Sequence, residues 1–95
     1  MDLTIFFSPV AESLYDGITS SSSFFKTISV FGDKMPDHRD ARIAMFGIGA
    51  HHGDGVTDTS TEGPDAIRKK LYRLKKGKGG ARIVDLGNLN PGVDA

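Results

Sequence analysis

From Arg42 onward the chain alternates between apolar and polar blocks, and the blocks have the lengths of secondary-structure elements. Arg42-Ile-Ala-Met-Phe-Gly-Ile48 is nearly continuous in apolar residues, as expected for a parallel strand buried on both faces rather than one with a wet side. A polar, glycine-rich loop follows from Gly49 to Thr61. Glu62-Gly-Pro-Asp-Ala66 then opens a helix. Pro64 suits the first helical position, because its fixed φ fits and its missing N–H would have been unpaired there anyway. Glu62 and Asp65 place negative charge at the positive end of the helix dipole. Ile67, Leu71 and Leu74 recur at helical spacing and are expected to form the stripe that packs on a sheet, with Arg68, Lys69, Arg73 and Lys76 around the remaining surface. Gly77 reads as a left-handed stop, with Lys75 and Lys76 complementing the negative end of the dipole. Ala81 to Leu86 is the second apolar strand, and Gly87 to Gly92 is its exit loop. The order strand, crossover helix, strand predicts an α/β fold built on a βαβ unit with right-handed parallel pairing.

A lone parallel pair leaves too much apolar strand bare, so the first 41 residues are expected to help cover it. Leu3 to Phe7 is a candidate short strand, Val10 to Tyr15 suits one or two helical turns, and Phe24 to Phe31 is apolar enough to pack. Between the last two, Thr19-Ser-Ser-Ser-Ser23 has nothing apolar to anchor it and is expected to be a mobile connection. The organisation is therefore read as an N-terminal extension, 1–41, followed by a strand-loop-helix-strand unit, 42–95, of an incomplete α/β domain. No internal repeat is present.

Composition narrows the function classes. A chain of 95 residues forms one small domain, and 38% apolar with 25% charged residues is an ordinary globular balance that argues against wholesale disorder. Twelve basic and twelve acidic residues cancel, so no global field draws the chain to nucleic acid or to a membrane. The absence of cysteine removes disulfides and thiolate metal sites, and is compatible with the cytoplasm. No apolar run approaches the ~20 residues needed to cross a bilayer. The start at Met1-Asp-Leu3 lacks the basic region of a secretory signal.

Four residues that can do chemistry, His51, His52, Asp54 and Asp58, share the loop after the first strand. Ligands in open α/β sheets bind beyond the carboxyl ends of the strands, so the loop is well placed for a site. Imidazole with carboxylate suits a metal or a proton relay, but four groups on one loop, without a helical His-x-x-x-His or a remote third ligand, carry a weak metal signal. The blander reading is a solvated loop with glycine turns; contact with a ligand stays open beside it. Gly47-Ile-Gly49 starts like a dinucleotide fingerprint, but the third glycine is missing and the helix begins more than ten residues later, so the glycines are read as permitting turns at the strand end.

Eight of the twelve basic residues fall between Arg68 and Arg82 with no acid among them, which makes a local positive patch. Only Tyr72 adds an aromatic surface there, so a solvated helix face or an acidic partner within the same protein is favoured over nucleic acid. A small module that docks an anionic partner through this helix is the alternative function. Asp37-His-Arg-Asp40 contains the His-Arg-Asp triplet of protein kinases, but Met45 stands where that motif needs asparagine, and the segment is read as a loop.

Three segments resemble a known family. Ile43 to Ile48, Glu62-Gly-Pro-Asp-Ala-Ile-Arg68 and Ile83-Val-Asp-Leu-Gly-Asn-Leu89 are similar to the opening of the ureohydrolases, the arginase, agmatinase and formimidoylglutamase family. Met1-Asp-Leu-Thr-Ile-Phe-Phe-Ser-Pro9 resembles the extension of formimidoylglutamase-like members. The resemblance implies the N-terminal part of a three-layer αβα hydrolase of guanidino or formimino carbon–nitrogen bonds. It also implies two manganese ions in the complete enzyme that activate a bridging hydroxide. The family's ligand motifs, Gly-Gly-x-His, Asp-x-His-x-Asp and Ser-x-Asp-x-Asp, do not occur here, so no catalytic residue and no metal ligand carries over to this chain. The implied partners are the remainder of the enzyme, a small-molecule substrate and further copies in a homo-oligomer. The implied role of His51, His52, Asp54 and Asp58 is substrate selection at the mouth of the active site.

Overall fold

The computed structural model describes residues 3–51, 59–60, 62–77 and 81–90. Its architecture is α/β and is organised around one strand. Strands β1 (Phe7–Ser8), β2 (Ile28–Val30) and β3 (Ile43–Gly47) all pair with β6 (Ile83–Leu89). On one edge of β6, β2 runs parallel to its first half and β1 antiparallel to its last residues, Phe7 facing Leu89. On the other edge β3 runs parallel from Ile43 opposite Ile83, with an irregularity between Met45 and Gly47. A separate antiparallel pair, β4 (Ala50–His51) with β5 (Thr59–Ser60), follows β3. Helix α1 (Glu62–Leu71) then crosses to β6.

The parallel pair and its crossover helix stand where the sequence predicts them, but their details differ in instructive ways. Strand β6 continues to Leu89 through residues read as an exit loop, because Gly87 adopts φ 87° and Asp85 Oδ1 accepts its N–H at 3.0 Å. A side chain at Gly87 would also run into the carbonyl of Ser8 on β1. Gly47 does not serve a turn: a Cβ there would meet Asn88 Oδ1 and approach Pro64 Cβ to 2.7 Å, so its role is close packing of β3 on α1. Gly77 is not the helix stop. The helix ends at Leu71, and the chain turns through Tyr72 to Leu74 into an antiparallel bridge between Lys75 and Ser23.

That bridge also corrects the reading of the serine run. Nothing apolar holds it, yet Ser23 is buried, its hydroxyl donates to Ser20 O at 2.8 Å, and Lys76 N–H donates to Ser22 O at 2.8 Å. Phe24 and Phe25 N–H groups reach Leu74 O and Tyr72 O at 2.6 and 3.1 Å. Polar main-chain bonds thus anchor what composition alone marks as a loose connection. The core gathers Val10, Ile18 and Tyr72, with Leu14, Tyr15, Phe25, Ile28 and Val30 packed on them. Tyr15 stacks on Phe25 at 4.9 Å, and Phe25 lies 5.1 Å from Tyr72. The first 31 residues therefore build one face of the core and two of the strands.

Helix α1 is turned relative to expectation. Arg68 and Tyr72, one turn apart, point inward and are buried, whereas Ile67 and Leu74 are exposed. Strand β3 is only partly covered: Ile43 and Phe46, whose ring meets Phe7 edge-on at 5.5 Å, are about half exposed and Ile48 just beyond the strand more so, although the apolar run predicts burial on both faces. The physical reason is the same for both. Among the described residues no strand pairs with the second edge of β3 and no element covers the outward stripe of α1.

Candidate functional site

A pocket of about 320 Å³ opens at the carboxyl end of β3, between Met45–Ile48 and the first turns of α1, where Gly63, Pro64 and Ile67 form its other wall. This is the end of a parallel sheet at which α/β proteins bind ligands. Chain continuity sets the β4–β5 hairpin at its rim, since two residues separate Gly47 from Ala50 and one separates Ser60 from Glu62. The polar loop is thus partly structured. His51 belongs to β4 with its backbone opposite Thr59, whereas His52, Asp54 and Asp58 lie outside the described residues.

The side of the pocket toward β6 ends in a buried polar network. The Arg68 guanidinium donates from Nε and Nη2 to both oxygens of Asp85, each at 2.9 Å, and further to Asn88 Oδ1 at 2.6 Å and Gly87 O at 2.8 Å. Asp85 also accepts from Tyr72 Oη at 2.5 Å, and Asp65 lies 3.8 Å from Arg68 one turn back along the helix. Arg68, Asp85 and Tyr72 are all essentially removed from solvent. A buried ion pair costs desolvation that only good geometry and further hydrogen bonds offset, and this forked pair has both. Burial disfavours the charged guanidinium, but the hydrogen bonds and charge of Asp85 outweigh it and raise the Arg68 pKa. Burial, reinforced by the bond to Asp85, pushes the Tyr72 phenol well above its usual value. The network thus holds a charged Arg68 and a neutral Tyr72 phenol around Asp85.

Chemically the pocket offers shape and apolar surface. Its one charged wall residue, Arg68, directs donors from all three of its nitrogens to Asp85, Asn88 and Gly87. The N-terminus of α1 carries Glu62 and Asp65 in its first turn, which oppose a phosphate-like ligand there. Among the described residues no group of three or more His, Asp or Glu side chains is placed to hold a metal ion.

Two sequence signals foretold more of this than periodicity did. Asp85 is a lone charge inside the apolar run Ile83 to Leu86, which demands a buried partner, and Pro64, Arg68 and Tyr72 repeat every four residues. The basic cluster shrinks accordingly. Arg68 is internal, Arg82 binds Asp40 and donates to Asp37 O at 2.6 Å, and Arg73 reaches Leu14 O at 3.4 Å and Lys69 O at 3.2 Å. The kinase-like triplet is indeed a loop: Arg39 clasps Asp37 with two bonds of 3.0 Å, and its donors hold the exposed Asp37 carboxyl well below the usual carboxylate range.

A mixed sheet with a parallel pair, its crossover helix and the forked Arg68–Asp85 link define a partial α/β unit that is consistent with part of the αβα ureohydrolase fold. Comparison with known proteins gives the particular members. The chain is 31% identical over 84 residues to the formimidoylglutamases of Salmonella typhi and Salmonella paratyphi A, and 30% identical to that of Salmonella newport. In each case the match covers 85% of this chain and 24% of the relative, so the chain spans about a quarter of the length of the curated relatives it matches. No family model matches the chain, and no solved structure does.

Proposed function

We propose that this chain is the N-terminal segment of a manganese-dependent ureohydrolase of formimidoylglutamase type, hydrolysing guanidino or formimino carbon–nitrogen bonds, and that it is inactive alone. The observation that carries the reading is the 84-residue match to formimidoylglutamases, which extends over most of the chain yet only a quarter of each relative. The family's ligand motifs do not occur in this sequence, which supports a catalytic centre formed by the other three quarters. Two manganese ions bound there would supply the activated hydroxide. The part read for this segment is structural and selective: α1 and β6 are locked together by Arg68 and Asp85, and His51, His52, Asp54 and Asp58 would take part in substrate selection at the mouth of the active site.

The complete enzyme is read as cytoplasmic and homo-oligomeric. Among the described residues no helix is long and apolar enough to cross a membrane. A direct test incubates the chain with manganese and formiminoglutamate, agmatine or arginine. No turnover is expected, and measurable hydrolysis by the chain alone would refute the fragment reading. Docking of an anionic partner through the basic helix loses ground, because Arg68 and Arg82 are spent on Asp85 and Asp40.

A further inference from the structure

The outer edge of β2 carries a second groove, of about 570 Å³, built entirely by the first 34 residues. Its volume falls in the range of small-molecule clefts, roughly 300–1,000 Å³. One wall is apolar: Tyr15 stacks on Phe25 at 4.9 Å and 16°, and Ile28 continues the surface. The bend at 32–34 forms the other wall. Tyr15 Oη lies so close over its backbone that a Cβ on Gly32 would come within 2.8 Å of the phenol.

The polar groups of this groove are unspent. Phe31 N–H donates to Asp85 O at 2.9 Å, so the alternation of a strand turns the N–H and C=O of Val30 away from β6 and toward the groove that Val30 lines. No strand pairs with that edge of β2 among the described residues. Tyr15 Oη, Lys26, Asp33 and Lys34 face the same space, and among the described residues none of these side-chain groups has a hydrogen bond or an ion pair. The Lys26 ammonium stands 5.8 Å from the Phe25 ring centroid, beside the apolar wall. Both signs of charge and a main-chain donor and acceptor thus converge on one small cleft.

We propose that this groove binds a free α-amino acid with an apolar side chain. Its carboxylate meets Lys26, Lys34 and the N–H of Val30, its ammonium donates to Val30 O and Asp33, and its side chain lies on Ile28 and the Tyr15–Phe25 stack. A zwitterion matches this set better than a simple anion does, because the charges of Glu12, Asp33 and Asp16 all reach the Tyr15 phenol and oppose a polyanion there. An added strand, from a second copy of the chain or elsewhere, fits less well. Ile28 N–H is already given to Phe25 O, so Val30 alone offers both a donor and an acceptor along this edge. The 3-10 turn at Phe24–Thr27 and the bend at 32–34 close the run on either side.

The test titrates the chain with leucine and with phenylalanine, following the Val30 amide and the Tyr15 ring by NMR and the heat by calorimetry. Saturable shifts at both places are expected. N-acetyl-leucine lacks the ammonium and leucinamide lacks the carboxylate, and each is expected to bind at least about tenfold more weakly than leucine. Tyr15→Phe keeps the ring stack and removes the hydroxyl; Lys34→Ala and Asp33→Asn change exposed residues. Lys34→Ala and Asp33→Asn are each expected to weaken leucine binding about tenfold, and Tyr15→Phe less. Lys69→Ala, exposed on α1, is expected to leave it unchanged. Amide spectra of each variant establish that it is folded. Absence of a saturable shift with either amino acid overturns the proposal, as do equal shifts from leucine, N-acetyl-leucine and leucinamide, or a loss in Lys69→Ala that matches the loss in Lys34→Ala. Shifts at Val30 that follow protein concentration, with the mass of a dimer in light scattering, give the groove to a second copy and overturn it too. The groove contains none of the residues proposed for substrate selection, so these outcomes leave the ureohydrolase reading as it stands, and turnover by the chain alone refutes that reading without bearing on the groove.

Discussion

Arg68 shows how a single side chain reverses an argument from periodicity. Its place among seven other basic residues marks it as surface, and its four-residue spacing from Pro64 and Tyr72 marks it as interior; the geometry follows the spacing, because Asp85 waits on β6. Removing one partner of a buried pair leaves the other uncompensated, so Arg68→Met is expected to cost about 3–5 kcal/mol in denaturant unfolding. Replacing both groups by apolar ones, Arg68→Met with Asp85→Leu, is expected to recover much of that loss. Equal loss in the single and the double variant would show that the pair is not the cause. Tyr72 carries a separate signature. Its phenol is raised in the folded state, so above about pH 10 the unfolded chain releases a proton that the folded chain keeps, and stability falls. The full contribution is present below pH 10 and declines as pH rises, by up to about 1.4 kcal/mol per pH unit. Tyr72→Phe is expected to remove that component, making the decline between pH 10 and 11 shallower in thermal melts.

At the scale of elements, the order β3, α1, β6 was legible and orientation was not; Leu3–Ile5, expected to be strand, is a 3-10 turn, and the expected loop holds the pair β4–β5. Apolar runs announced β3 and β6, and Gly-Pro-Asp announced the start of α1, because these depend on local chemistry alone. The rotation of α1 depends on what lies across from it. In the expected stripe Ile67 and Leu74 stay exposed and Leu71 is only half-buried, while the chain does supply a partner for Arg68 and Tyr72. The seat of the serine run was illegible for a related reason. It is held by main-chain bonds to Leu74 and Lys76 neighbours some fifty residues away, and main-chain bonding leaves no mark on composition. Of the candidate site, its place at the carboxyl end of β3 was legible from topology, whereas the pocket walls arise from packing of β3 on the first turn of α1.

For the molecule as a whole, the curated relatives are about four times as long as the matched stretch, so the reading of this segment is tested in a longer chain. The role proposed for the polar loop can be measured in a complete enzyme. Grafted into a full-length relative, alanine at His51, His52, Asp54 and Asp58 is expected to shift KM between formiminoglutamate and agmatine with little change in kcat. A collapse of kcat at unchanged KM would make the loop catalytic instead.

The single strand that β1, β2 and β3 share, β6, is also the last element to emerge during synthesis of these residues. Every pairing in the four-stranded sheet waits for Ile83 to Leu89, so the ribosome releases more than eighty residues before any hydrogen bond of that sheet can close. At roughly 5–20 residues per second, the apolar strand β3 stays unpaired for seconds in the nascent chain. Chains truncated before Ile83 are therefore expected to lack native sheet and to engage holdase chaperones, while arrest beyond Leu89 permits folding; protease protection of arrested nascent chains would show that threshold as one abrupt step.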